Sequence, residues 1–548
     1  MAKQRFKGAL NTATVPLVSV LQTRTVIQPQ LDINVRTSRN SNSTEEATDY
    51  SIPQVQYIEN VLPTSEGYQS VGYSQVISGF GGTAFDQAIT LRDENENNFL
   101  LSPAGGLSYV YSAATENWVA KTALALAAGS LITRAYVNGR TFICYEKLGI
   151  YEFSAATGLF SKQTLVGLTD AEVRGIGGSS NYLLAFTSIT VHWSSLVSPL
   201  DFVPSLTTGA GFAIPQDVKA RITAVLGISG GFIVYTAKNA VAAVYTSNTR
   251  SPFTFKEVSN AGGITSYEQV TSEQNSGPHY AWTTGGLQKI TIQGAEAVSA
   301  EINDFIAGRM WEYFDTASKL LVQQYIAQEE FYVKLSFISS RWLVISYSTT
   351  AVAGVYNYAI VYDTILKRYG KFKLDHTDCF YYPYPKNSTS ISYAELSPQT
   401  YGQLVGGYHQ LVTSITSDPL SKASLGFLLA NGTVKIAQMS YSKSTQHNAV
   451  LIIGKLQMVR ASMITMQQLD IETVAPAANA VVPDYQVYVG ASLTGRSPVS
   501  MQLMIKLADG VGYGKYAKRV TGVNLVAAIT GTFALTSYIA EVTLDGDR

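Results

Sequence analysis

The stretch AYVNGRTFICYE (135–146) decides the fold class. Asn138-Gly139 suits the two left-handed positions of a tight hairpin turn, and β-branched and aromatic residues flank it on both sides. Five further runs share this pattern of paired β-type segments around turn residues. They are FLLSPAGGLSYVY from 99, NYLLAFTSITVHW from 181, GFIVYTAKNAVAAVY from 231, YAWTTGGLQKITI from 280 and FYVKLSFISSRWLVISY from 331. The starts recur at roughly 40–50 residues, the period of propeller blades, which bury their faces and edges only by stacking around a centre. An all-β fold follows, and the spacing predicts a β-propeller of six or seven blades over about 68–440. Hairpins alone would also suit a pair of β-sandwiches; the regular spacing favours the propeller.

Outward from these repeats the chain divides into three. Residues 1–67 read as an N-terminal arm and entry segment, with the polar run NVRTSRNSNSTEEATDYS (34–51) as a peripheral stretch ordered against partners. Within the repeat region, SAEINDFIAGRMWEYF (299–314) has apolar residues at helical spacing behind Ser299 as N-cap, and predicts one of the few helices. A Tyr-, Pro- and Ser-rich insertion is expected near 376–420. Residues 441–548 return to strand patterning and predict a C-terminal β domain.

Composition narrows the function. Lys+Arg and Asp+Glu both number 39, so the formal net charge is zero, which argues against a strongly basic nucleic-acid binder. Charged residues make up only 14%, while Tyr numbers 34 and Gly 44, a balance that suits turns and contact surface and a subunit of an assembly. Cys144 and Cys379 sit among β-type and aromatic residues and are expected to be buried thiols. Neither a signal peptide nor a membrane span is expected; the uncharged apolar-leaning run Ile222 to Ala237, for example, is broken by Gly and Thr.

Motifs that could carry chemistry fail on context. GISGG (227–231) matches a nucleophile elbow around Ser229, but that motif needs a helix after it, and the β-type FIVYT follows. DHTDC (375–379) gathers Asp375, His376, Asp378 and Cys379 without a second ligand cluster, and reads as an exposed turn before an aromatic strand. His192, His279, His409 and His447 are isolated. GYGKY (512–516) lacks the residues of a phosphate loop, and RGIGGSS (174–180) leads into a strand rather than a helix N-terminus. The densest basic run is LKRYGKFK (366–373), in which Lys367, Arg368, Lys371 and Lys373 are candidates for partner contact on a solvated hairpin. No enzyme, metal or cofactor is expected.

WSSLVSPLDFVPSLTTGAG (193–211) is too broken for a strand and too apolar for a free linker. Its Pro, Gly and Thr stiffen it, and Trp193, Leu200, Phe202 and Pro204 are the candidate residues of a stiff interface loop. With a propeller around it, this stretch resembles the tail nozzle (tail tube, packaged-DNA stabilisation) proteins of short-tailed bacteriophages. YIENVLPTSEGYQSVGY (57–73), SLGFLLANGTVKIAQMSY (424–441), AVLIIGKLQMVRAS (449–462) and GKYAKRVTGVNLVAAITGTFALTSYIAEVTLDGDR (514–548) are similar to successive segments of that family. The resemblance covers most of 57–548 as phrases in order, and residues 1–56 match least.

The resemblance implies a homo-oligomer, a ring of six copies, in the virion tail, made in the host bacterial cytoplasm. The ring would sit below the portal-adaptor ring and carry tail fibre or spike proteins. It would enclose the channel that retains double-stranded DNA and then passes it without sequence specificity; no small-molecule substrate is implied. Zero net charge predicts a bore that does not grip phosphates, because a basic residue on the wall would be presented once per copy. The alternative is a propeller-type receptor- or glycan-binding tail protein; a glycan-cleaving one would need a paired-carboxylate pocket.

Overall fold

The computed structural model describes residues 54–544 apart from internal stretches, the longest being 299–332 and 383–423. The expected helix at 299–314, Lys367 and nearly all of the expected insertion lie outside the described residues. Within them the protein is nearly all β, in antiparallel sheets, with one short 3-10 turn at Tyr267–Gln269.

Among the described residues, seven four-stranded units follow one another along the chain. Their strands span 89–121, 132–162, 175–213, 222–257, 270–297 and 333–376, each in sequential up-and-down order. The seventh takes three strands, Asp378–Tyr382, Ser424–Leu428 and Val434–Gln438, and borrows its fourth, Gly72–Ile77, from the start of the described chain. The hairpin read at 135–146 joins Ile132–Val137 to Arg140–Tyr145, and Asn138 and Gly139 take φ of 51° and 76°, as that turn requires.

The first strands of successive units lie against each other. Ile132–Val137 meets Gly175–Ser179, which meets Ile222–Ile228; the contacts continue through Val270–Ser272, Val333–Ile338 and Asp378–Tyr382 to Ile89–Arg92 in the first unit. Glycines allow this approach. A Cβ on Gly177 would lie 2.1 Å from the Val225 carbonyl oxygen, and one on Gly227 only 1.8 Å from that of Gly178. The Gly-rich RGIGGSS segment therefore does not merely lead into a strand: Gly175–Ser179 is itself a first strand, glycine-built because its neighbours leave no room for side chains.

The remaining strands pack as two sheets. One orders Gln54–Glu59, Ala449–Gln457, Asn524–Gly531, Tyr485–Ser492 and Ser500–Leu503. The other, Ala534–Leu544, Ile464–Thr473, Tyr513–Gly522 and Ile505–Gly510, continues through Tyr68–Ser70 and Val61–Pro63 into the 333–376 unit, making ten strands. Ile452, Val487 and Ile529 of the first sheet share one core with Leu469 and Ile471 of the second. The same core takes in Tyr280, Trp282, Leu343, Ile345 and Ile360 of the units, so the two parts are welded by apolar contact. Gln54–Glu59 thus pairs with Ala449–Gln457, and Tyr68–Ser70 with Ala534–Leu544.

Candidate functional site

The segment between Val191–Trp193 and Gly211–Ala213 is held at many points. Trp193 Nε1 donates to the Gly209 carbonyl at 2.9 Å, Ser195 N to Asp201 O at 2.7 Å and Leu196 N to Thr208 O at 3.0 Å. It also clasps the chain ahead of its own unit: Val166 N donates to Leu200 O at 3.0 Å and Phe202 N to Val166 O at 2.8 Å. Phe202 is buried and joins the core of Phe142, Leu168, Ile176 and Leu183, with Leu200 packed against it; Trp193 enters the core of Phe232 and Phe253. Of the four residues picked from the sequence, Trp193, Leu200 and Phe202 root the loop, and Pro204 lies exposed on it.

The outer side of this loop is apolar. Val197 is 86% exposed, and Leu196, Val203 and Leu206 are exposed with it, as are Val166, Phe212 and Ile214 on the flanking chain. From 187 to 216 only Asp201 is charged, and its carboxylate is turned back to accept from Val203 N at 3.0 Å. A rigid backbone carrying large uncharged side chains into water is a surface suited to a protein partner.

A second cluster gathers near the first strands. Lys334 Nζ lies 3.0 Å from Asp378 Oδ1 and 3.7 Å from Glu268 Oε1, and Tyr356 donates its hydroxyl to Glu268 at 3.1 Å. From the second unit, Arg134 N donates to the Tyr267 hydroxyl in the fifth at 3.4 Å. Residues of the second, fifth, sixth and seventh units therefore meet, joined by polar contacts. Burial raises the Asp378 carboxyl above the ordinary range, with Lys334 pulling it back. Sequence reasoning singled out Asp378 but missed Glu268 and Lys334, which no local spacing links to it.

DHTDC is not an exposed turn. His376, Thr377, Asp378 and Cys379 are all buried, and only Asp375 is exposed, because His376 closes the strand Arg368–His376 and Asp378 opens the next. His376 Nδ1 lies 2.7 Å from Leu374 O, which can only accept, so Nδ1 carries the proton. Nε2 then accepts from the Ser346 hydroxyl at 2.8 Å, and the Cys379 thiol, 3.7 Å away, can donate to that hydroxyl in turn. This Cys–Ser–His chain is wholly internal, and burial drives the thiol's pKa well up. Ser229 stands in the Ile228–Gly231 hairpin turn, and Cys144 is a buried free thiol. Among the described residues, no group of three or more His, Cys, Asp or Glu stands where it could hold a metal ion.

The LKRYGKFK segment is likewise not a solvated face. Arg368 and Lys371 are buried, and Lys373 is half-buried, because residues 60–63 lie across the strand: Val61 pairs with Lys371, and Asn60 Oδ1 accepts from Lys373 N at 3.0 Å. Two of the four basic candidates therefore face the chain's own interior. The loop at 194–210 is the remaining candidate surface. Compared with known proteins, the chain matches no family model and no curated protein.

Proposed function

We propose that the seven units close into a seven-bladed propeller and that the chain is a structural subunit of a ring-shaped virion tail nozzle. The succession of first strands, running from the second unit around to the first, supports the closed circle. So does the seventh unit, which joins early and late segments of the chain and would fasten the circle. The observation that carries the assembly reading is the outward apolar face of the 194–210 loop, anchored by Phe202 and Trp193. A chain of zero net charge bearing such a face is built to be covered by protein.

In this reading the axis of the propeller is not the conduit. Arg134, Tyr267, Glu268, Lys334 and Asp378 occupy the region between first strands, so duplex DNA would pass between copies, through the centre of the ring. The nozzle would sit under a portal-adaptor ring, bear fibre or spike proteins, and act without an enzymatic step or cofactor. The test is the mass of the purified chain by light scattering. Six times the 59.3 kDa of one copy supports the ring; a concentration-independent monomer or trimer contradicts it.

A further inference from the structure

We infer that the outward face of the 194–210 loop on one copy is covered by the sheet edge 500–510 of a second copy, so that the two join head to tail. The inference rests on the reading of the chain as a ring subunit and supplies the surface that meets the loop. Among the described residues, most of the large apolar side chains left in water fall into two groups. One is the loop with its flanking Val166, Phe212 and Ile214. The other is Leu503, Ile505 and Leu507, at 50%, 66% and 58% exposure, with Tyr513 across the turn of the same hairpin.

The second group lies on an edge. Among the described residues, Ser500–Leu503 ends the order of the five-stranded sheet and Ile505–Gly510 that of the ten-stranded one. The chain crosses from one edge to the other at buried Met504. Ile505 pairs with Ala517 and Lys506 with Tyr516 on one side of the strand, and its other side looks outward. Soluble chains guard such edges with charge, Pro or short strands, whereas Lys506 is the one charged residue from 500 to 508. An edge carrying Leu and Ile in water is suited to being covered.

Charge selects a second copy as the cover. From 175 to 218 the chain holds Asp201 and Asp217 and neither Lys nor Arg. Glu172 adds a third acid: it bears on His192, whose ring centre lies 5.5 Å from that of exposed Phe212, while the nearby Arg174 is paired with Glu146. The edge has the opposite sign. From 493 to 522 Asp509 is the sole acid, against Arg496, Lys506, Lys515, Lys518 and Arg519, of which Lys515 lies 3.6 Å from Asp470. Identical copies of zero net charge thus attract loop to edge. Placement agrees. The loop belongs to the third unit, and the edge ends the sheet that runs through the sixth. Three steps apart on the proposed circle of seven, the patches face nearly opposite ways, as a head-to-tail contact that closes into a ring requires.

The test mixes two full-length variants. Val197→Asp disables the loop, and Ile505→Asp with Leu507→Asp disables the edge. Wild type is expected to assemble, and each variant alone to be a monomer by light scattering. Mixed in equal amounts, the two should form a complex of twice the 59.3 kDa of one copy and nothing larger, because one intact loop and one intact edge remain per pair. Added salt should weaken that complex. Either variant assembling like a six-copy wild type, or a mixture that stays monomeric while wild type forms six copies, overturns the inference and leaves the ring reading standing. Wild type joined through loop and edge into some other number of copies supports the inference and overturns the ring of six. A monomeric wild type overturns both. Matching urea midpoints show that the two variants are folded; where the edge variant fails this, Ile505→Thr with Leu507→Thr takes its place.

Discussion

The hydroxyl of Tyr235 lies 2.9 Å from Nδ1 of His279, and His279 Nε2 lies 2.7 Å from the carbonyl of Gly227. The carbonyl can only accept, so Nε2 carries the proton, and the neutral ring takes its second bond from the tyrosine. A strand of the fourth unit and one of the fifth are pinned by this ring, fully buried between them.

Acid should undo this arrangement. Burial lowers the pKa of both His279 and His376 to about 4, with the bond to Gly227 or Leu374 acting in the opposite sense. Unfolded histidines bind protons from about pH 6.5, so the contribution of these two rings is full above that value and is lost as pH falls toward 4. Each ring contributes roughly 3 kcal/mol to the loss at about 1.36 kcal/mol per pKa unit. Between about pH 6.5 and 4 these two rings together should add close to two protons to the pH slope of urea unfolding, and His279→Gln should remove one of them.

Replacing Gly227 by Ala should be among the most damaging small substitutions. The added methyl would lie 1.8 Å from the Gly178 carbonyl oxygen, which is backbone of a neighbouring first strand and cannot swing aside. A loss of about 3 kcal/mol or more is expected. Gly230→Ala is the comparison, since its Cβ would meet nothing nearer than 3.6 Å although φ is +83°. Thermal unfolding should place Gly227→Ala well below it.

Breaking the polar cluster should also cost stability. Lys334→Met leaves the buried Asp378 carboxylate facing an apolar side chain, and a loss of about 3–5 kcal/mol is expected. Lys334→Met with Asp378→Leu should recover much of it, because the pair is then replaced by packing. Equal losses in the single and double variants would show that the pair matters less than this account requires.

The outer face of the 194–210 loop can be tested without disturbing the fold. Val197→Asp and Leu206→Asp alter exposed side chains and should change monomer stability by no more than about 0.5 kcal/mol. Both should abolish higher assembly as seen by light scattering. Phe202→Ala, which removes a buried anchor, should instead cost about 3–5 kcal/mol.

Much of the β organisation was legible because its signals are local. The Asn138-Gly139 turn, the paired β-type runs around turn residues and the apolar settings of Cys144 and Cys379 all act within a few residues. What escaped depends on distant partners. LKRYGKFK reads as solvated by its charge, yet Val61, some 310 positions earlier, pairs with Lys371 and buries it. DHTDC reads as a turn, yet Ser346 and Leu428 supply the partners that let it continue between two buried strands. Nothing near Gly72–Ile77 announces that it completes a sheet begun at Asp378. Of the interface loop, the anchors Trp193, Leu200 and Phe202 were readable as large apolars in a stiff context. Their division into a rooted side and an outward side was not, because it depends on residues 163–168 lying beneath.

The central claim, a ring whose bore lies between copies, is tested most directly by electron-microscope class averages of the purified full-length chain. The account predicts hollow rings of six copies, with the 194–210 loops at subunit contacts and density closing the axis of each propeller. Solid single particles, or rings in which the axis of each copy is the open channel, would contradict it.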